Sequence, residues 1–346
     1  MAQALALTHS SWINAWTLRR ACAGFGVDLR VADAARELPL PRLRRLDAAQ
    51  WIFFTEEASL RRALEGAQSG RFLPEQFPLE LLDDKWAFAE FLAVDAQGPQ
   101  GLAQRPLPAA ATARFPVLLK CRHSWVDGRK LPRGWVCRDA ADLAARRAGL
   151  AAQGMREDWF FLQEWLGDAP LRLLSVGGFF DAADESRNLA VVTERVADYG
   201  EGPSSSAMLV TVADEHRLVQ RAERVLRRLG YRGPFEMEFI VTAERCVTLE
   251  LNPRFWMQHG LFLPVGNALV KRYLGRDTEA DRGQGPPQRL LWVDGIWLLG
   301  RLLRLDRRAL SLWRTWVWQR GYRPVVCPSL GFVVRSALWR MCGRRG

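Results

Sequence analysis

Phe235-Glu-Met-Glu-Phe-Ile-Val241 and Cys246-Val-Thr-Leu-Glu-Leu-Asn-Pro-Arg-Phe-Trp256 are the two runs from which the fold is read. Successive side chains of a strand point to opposite faces. Phe235, Met237, Phe239 and Val241 therefore share one face of the first run, with Glu236 and Glu238 on the other. In the second run Val247, Leu249 and Leu251 oppose Thr248, Glu250 and Asn252. Two such runs joined by a short turn make a hairpin. Val241 opposite Val247, across a five-residue loop, aligns the apolar faces and sets Glu238 opposite Glu250. A four-residue loop would set acids against leucines, because a one-residue slip turns every side chain over.

Two carboxylates directly opposed repel unless a cation neutralises them. Glu238, Glu250 and the amide oxygen of Asn252 are hard ligands of the kind that suit Mg²⁺, which binds through one or two carboxylates together with substrate phosphates. A solvated acidic face balanced by arginines explains the hairpin alone equally well.

Upstream of the hairpin, Asp214 to Leu229 reads as an amphipathic helix with Leu218, Ala222, Val225 and Leu229 on one face, ended by Gly230. Val191 to Arg195 and Phe160 to Glu164 read as strands, Ala140 to Gln153 as a helix. Val117 to Lys120 is a strand that runs into a basic loop, Cys121 to Gly134. Leu81 to Ala93 is a helix with Asp83 or Asp84 as its N-cap and Lys85 in its first turn. Between them lies a hinge-like loop rich in Gly, Pro and Gln, Gly98 to Pro108. At the N-terminus, Ala4 to Leu7, Ala15 to Phe25 and Val27 to Val31 give strand, helix, strand.

The chain has 346 residues, 49% hydrophobic and 25% charged, which suits a globular protein of more than one compact part. No run reaches the ~18 apolar residues of a membrane span. No basic stretch precedes an apolar run at the N-terminus, and six scattered cysteines show no C-x-x-C pair; both point to a cytoplasmic, reducing setting. The net charge is +11, and of 49 basic residues four are lysine (Lys85, Lys120, Lys130, Lys271), leaving 45 arginines. The arginines are dispersed and form no recognition motif, so a nucleic-acid partner is not favoured.

The pattern Gly230-Tyr231-Arg232-Gly233 through Glu238-Phe239, then Leu249-Glu250-Leu251-Asn252-Pro253-Arg254, resembles the C-terminal signature of ATP-grasp enzymes, in particular the carbamoyl-phosphate synthase-like and carboxylate–amine ligase branch. Other motifs follow in family order. Asp84-Lys85 resembles the pair that opens the ATP-grasp region, and Phe115-Pro-Val-Leu-Leu-Lys120 resembles the strand whose lysine binds phosphate. Phe161-Leu-Gln-Glu-Trp-Leu166 is similar to the hinge strand that reads adenine.

By that resemblance the fold class is α/β (α+β): an ATP-grasp fold whose two α/β subdomains clasp ATP, preceded by a short Rossmann-like N-terminal unit. The implied organisation is a pre-ATP-grasp domain over 1–80, an ATP-grasp domain over 81–275 (lid 109–164, platform 165–275) and a basic, Trp-rich helical extension over 276–346. The implied cofactors are ATP and Mg²⁺ or Mn²⁺. Glu238, Glu250 and Asn252 would hold the metal, and Lys85 and Lys120 the phosphates. Gln163, Glu164, Trp165 and Leu166 would meet the adenine, with Glu194 or Asp168 at the ribose. Arg254 and Lys120 would act on the transferred phosphoryl group or the acid. The implied reaction activates a carboxylate as an acyl phosphate, with ADP and phosphate as products, for attack by an amine or a thiol. Bicarbonate activation is the alternative within the fold.

Departures from the pattern are a glycine-poor lid, Cys121-Arg-His-Ser-Trp-Val-Asp-Gly128, and His9-Ser-Ser11 where a glycine-rich turn is usual. The segment Leu310-Ser-Leu-Trp-Arg-Thr-Trp-Val-Trp-Gln-Arg320 reads either as a helix packing its tryptophans on the main body, the preferred reading, or as a membrane-surface helix.

Overall fold

A computed structural model describes residues 2–8, 12–33, 50–65, 70–94, 104–107, 114–126, 129–131, 134–167, 171–199, 206–282 and 288–334. His9-Ser-Ser11, Asp168, the loop over 200–205 and Cys342 lie outside them. The chain divides into two compact units: Met1–Phe77, Ser175–Glu236 and Asn252–Gly346 form the first, Pro78–Leu174 and Met237–Leu251 the second.

The first unit begins with β1 (Ala2–Thr8), α1 (Trp12–Ala23), β2 (Val27–Asp33), β3 (Trp51–Phe54) and α2 (Glu57–Glu65). The three strands make a parallel sheet in the order β2-β1-β3, which is the small Rossmann-like unit expected. Its buried residues, among them Ala4, Leu18 and Phe53, share one core with Phe255, Phe262 and Tyr273 from far along the chain.

The second unit contributes α3 (Lys85–Ala93), β4 (Gln104–Pro106), β5 (Val117–Cys121), β6 (Trp125–Val126), β7 (Arg129–Lys130), β8 (Gly134–Cys137), α4 (Ala140–Ala152) and β9 (Phe160–Glu164). Four of its strands form an antiparallel sheet in the order β4-β9-β5-β8. Val117, Leu119 and Cys121 of β5 and Phe160 and Leu162 of β9 point to one side, into a core with Leu143 and Leu150 of α4. Alternation sends Lys120 and Gln163 to the other side. The basic loop after β5 is ordered in part as a miniature hairpin, β6 against β7.

The remaining strands are β10 (Arg172–Asp181), β11 (Leu189–Asp198), β12 (Ser206–Val212), β13 (Arg232–Val241), β14 (Cys246–Asn252), β15 (Leu290–Asp294) and β16 (Arg323–Cys327), in one sheet of order β14-β13-β10-β11-β12-β15-β16. Helix α5 (His216–Arg228) buries Leu218, Ala222, Val225 and Leu226, nearly the face expected. After β14 come a 3₁₀ stretch, Met257–Val265, then α6 (Ala268–Tyr273), α7 (Glu279–Arg282), α8 (Gly295–Leu303) and α9 (Arg307–Trp313). The segment 276–346 supplies β15 and β16 to the large sheet and falls within the first unit, so its tie to that unit is a matter of strand pairing. Among the described residues, no helix is long and apolar enough to cross a membrane.

Candidate active site

Asp84 caps α3: its Oδ1 accepts from the N–H groups of Trp86 at 2.9 Å and Ala87 at 3.1 Å. A carboxylate there satisfies two amides that the helix leaves without partners. The same carboxylate takes the Arg122 guanidinium at 2.6 Å. Burial alone would raise the Asp84 carboxyl, but the Arg122 and Ala87 hydrogen bonds outweigh it and hold the group below the usual carboxylate range. Asp83, in the left-handed region at φ 68°, accepts from Ser124 N–H at 3.0 Å. Lys85 then donates from its backbone to Arg122 O at 2.9 Å and from Nζ to Ser124 Oγ at 3.2 Å. Asp83-Asp84-Lys85 thus fastens the start of α3 to the loop that follows β5. Of the two acids offered by the sequence as the N-cap, Asp84 takes that place and Asp83 holds Ser124 instead; Arg122 and Ser124 had no role assigned from the sequence.

Lys120 lies on β5, on the side of the sheet away from α4. Its neighbour across β8 is Gly134, whose φ is +145°. A Cβ there would meet Leu119 O at 2.7 Å, so only glycine fits opposite the lysine. The Lys120 ammonium donates to Gln163 Oε1 at 3.3 Å, a diagonal neighbour on β9. Burial pushes the ammonium below the usual lysine range; Glu250 pulls it back up, the Lys85 charge lowers it further, and Glu238 raises it. One buried ammonium therefore feels both hairpin acids and the second lysine.

The hairpin geometry follows the expected alternation. Asn252 Nδ2 donates to Glu236 Oε2 at 3.2 Å, so these two side chains share a face. Two residues further toward the turn along each strand, the same face reaches Glu238 and Glu250. The turn itself is closed by Thr242 N–H donating to Arg245 O at 2.8 Å. Among the described residues no three His, Cys, Asp or Glu side chains form a metal cage. Glu238 and Glu250, with Glu236 on the same face bonded to Asn252, act on the Lys120 ammonium and are ligands of the kind used by a cation that completes its shell with phosphate oxygens. The residues present therefore fit Mg²⁺ and a polyphosphate together.

At the hinge, Gln163 is buried and accepts from Lys120, while the Glu164 carboxylate is taken by Arg245 at 2.5 Å. The side chain of Glu164 is thereby engaged by the hairpin turn, which leaves the backbone from Glu164 through Leu166 as what this strand end can offer a base. Phe161 packs edge-on against Trp86 of α3, ring centroids 5.6 Å apart.

In the first unit, Arg254 is gripped from two directions. Its Nη2 pairs with Glu57 Oε1 at 2.5 Å and donates to Asn252 Oδ1 at 3.2 Å. Glu57 sits in the first turn of α2, distant in sequence, and nothing in the sequence marked it. Glu194 lies on β11 opposite Val210 of β12, also in the first unit. His259 is buried against Phe255 and Trp256, its Nδ1 on Trp256 O at 2.5 Å.

No family model matches the chain, and no curated protein matches it by sequence. Solved structures do match. Carboxyaminoimidazole ribonucleotide synthase from Aspergillus clavatus, complexed with ATP, covers 88% of this chain and 86% of its own with a TM-score of 0.62 at 12% identity. The biotin carboxylase domain of the Hydrogenobacter thermophilus 2-oxoglutarate carboxylase, with MgADP, ADP and bicarbonate, covers 81% and 71% with a TM-score of 0.54 at 14% identity. An ATP-grasp RimK domain protein from Sphaerobacter thermophilus covers 79% and 100% with a TM-score of 0.52 at 18% identity. The chain has the ATP-grasp fold.

Proposed function

We propose that this protein is an ATP-dependent, ADP-forming ligase that activates a carboxylate as an acyl phosphate. The observation that carries the reading is Lys120, a buried ammonium under the combined influence of Lys85, Glu238 and Glu250. Two ammonium groups suit the phosphate oxygens of a nucleotide, and two carboxylates suit the magnesium that accompanies it. Structural neighbours crystallised with ATP and with MgADP support the same choice.

In this reading Lys85 and Lys120 hold the phosphates, and the backbone near Trp165 and Leu166 meets the adenine. Glu238, Glu250 and Asn252 would hold Mg²⁺, which when bound would offset phosphate charge as it develops. A carboxylate oxygen of the substrate attacks the γ-phosphorus, the bond to the departing ADP breaks, and an acyl phosphate forms. An amine then attacks the acyl carbon, phosphate leaves, and the nitrogen loses a proton. Little of this needs covalent participation by the protein; position and charge carry it. Arg254 is the group assigned to the acid or the transferred phosphoryl, and Glu57 and Asn252 fix its guanidinium plane. A rigid, partly buried fork matches a carboxylate or phosphate better than a lysine would. A second reading takes bicarbonate as the acid, favoured by the neighbour that holds bicarbonate.

The test is a panel of acids, bicarbonate included, assayed for nucleotide products with hydroxylamine as acceptor. Hydroxylamine traps an acyl phosphate as a hydroxamate whatever the natural amine. Acid-dependent ADP that rises with hydroxylamine is expected. AMP as the adenine product would replace phosphorylation by adenylation and end this reading.

A further inference from the structure

The segment from α8 onward has two faces of opposite character. The inward face packs Trp297, Leu302, Trp313, Trp316 and Val317 against Met208, Val210, Leu291 and Val293. Trp316 also meets Tyr322 edge-on at 5.2 Å and carries Arg320 over its ring at 4.3 Å. These tryptophans do what the packing reading expects of them.

The outward face is different. Leu303 and Leu305 are each 77% exposed and Trp318 is 73% exposed, with Leu310 at 42%. Arg307 and Ser311 of α9, and Arg314 and Trp318 of the π-helical stretch Arg314–Gln319 that follows it, are all exposed. Leu305 also holds a left-handed backbone, φ 50°, at the turn between α8 and α9. That conformation is ordinarily left to Gly or Asn, so a solvated leucine there is costly twice over. Around these apolar groups stand the exposed arginines Arg304, Arg307, Arg308, Arg314, Arg320 and Arg323. From Gly295 to Val334 the single acid is Asp306, and it is spent on α9, accepting from Arg308 and Ala309 N–H, and on Arg301 at 2.7 Å.

We propose that this face, from Leu303 through Arg323, docks the protein on an anionic phospholipid bilayer. Lipid satisfies both halves of the pattern. Headgroup phosphates take the arginines, each contributing roughly a fivefold gain in partition. The acyl boundary takes the leucines, and an exposed tryptophan is at home at the interface. A nucleic-acid backbone would answer the arginines but offers nothing to three exposed leucines. The proposal is independent of the ligase chemistry and stands or falls apart from it.

The experiment is sedimentation of the full chain with vesicles of phosphatidylcholine alone and of phosphatidylcholine with about one third phosphatidylglycerol. Retention on the anionic vesicles, weakening steeply with salt, is expected. The triple variant L303S/L305S/W318S should lose roughly tenfold or more of that partition, and R308E/R314E should lose at least as much. All five positions are exposed, so unchanged thermal unfolding will show that the variants are folded. Full retention of the triple variant overturns the proposal. So does absence of retention on anionic vesicles, and a face that instead binds duplex DNA would then be assigned to nucleic acid.

Discussion

Two clusters of charge in this molecule are built on opposite plans. In the first unit, Arg187 is buried and donates to Asp181 at 3.1 Å, Asp277 at 3.1 Å and Arg272 O at 2.5 Å. Arg282 also donates to Asp277 at 2.8 Å, and Arg232 to Asp181 at 3.0 Å. Burial works against the Asp277 carboxylate, but Arg187 and Arg282 hold it below its usual range. Arg187, Arg232, Arg282, Asp181 and Asp277 each have a partner of opposite sign within hydrogen-bond reach, while Arg272, buried beside them, gives its Nη2 to Asp281 O at 3.1 Å. In the second unit, the Lys120 ammonium bonds an uncharged amide, and the acids and the other lysine act on it through space. The first cluster is closed by short ion pairs; the second gathers ammonium and carboxylate groups of the kinds that phosphate and Mg²⁺ engage.

The largest effect that would break this contrast is at Glu250. Glu250→Gln should lower ATP turnover by roughly a thousandfold or more, since a charged metal ligand supplies several kcal/mol to the transition state, while leaving thermal unfolding unchanged. Near-normal turnover would show that the hairpin acids are a solvated face after all.

The self-balanced cluster makes the converse demand. Arg187→Met leaves Asp181 and Asp277 buried with fewer partners and should cost about 3 kcal/mol of stability. Chemical denaturation would read this as a lower midpoint, with turnover in the folded protein unaltered. A loss of turnover at unchanged stability would place this cluster in the site.

His259 sharpens the comparison, as a buried titratable group with no charged partner named above. Burial pushes its imidazole down to about 4. Below pH ~6.5 the unfolded chain takes up a proton that the folded chain refuses, so stability should fall as pH drops from ~6.5 toward ~4, by up to about 3 kcal/mol. Comparing wild type with His259→Gln across that window isolates the contribution; equal slopes would disprove it.

The smallest expected effect is at Glu57. Glu57→Gln keeps the shape of the Arg254 partner and removes its charge. Turnover should drop by about tenfold through a raised KM for the acid with kcat less affected, as for a group that positions its neighbour. An unchanged KM for the acid would mean that the pair only ties α2 in place.

Local patterns were legible wherever periodicity and capping agree. Phe160 to Glu164 is the strand expected, α5 differs by two residues at its start, and Asp84 caps the helix that opens with Lys85. β10 was not legible. Gly177-Gly178 interrupts its alternation, and the reason for Gly178 is tertiary: a Cβ there would fall 1.7 Å from the Leu189 carbonyl oxygen. β12 was hidden differently. Its two faces pack into different cores, Leu209 into one and Met208 and Val210 into another, so Ser206 to Thr211 are all buried and no polar face remains to betray a strand.

By itself the sequence determined the hairpin, the alternation that puts Glu236, Glu238, Glu250 and Asn252 on one face, and the two strand and helix positions of Lys120 and Lys85. These follow from repeats of two and 3.6 residues and from capping, all of which act between near neighbours along the chain. Only the tertiary structure decided that Glu57 grips Arg254, that Arg245 takes the carboxylate of Glu164, and that β15 and β16 extend the large sheet. Each of these joins residues tens to hundreds of positions apart. Such pairings are set by which faces remain to be buried once the local elements have formed, and no spacing along the chain records them.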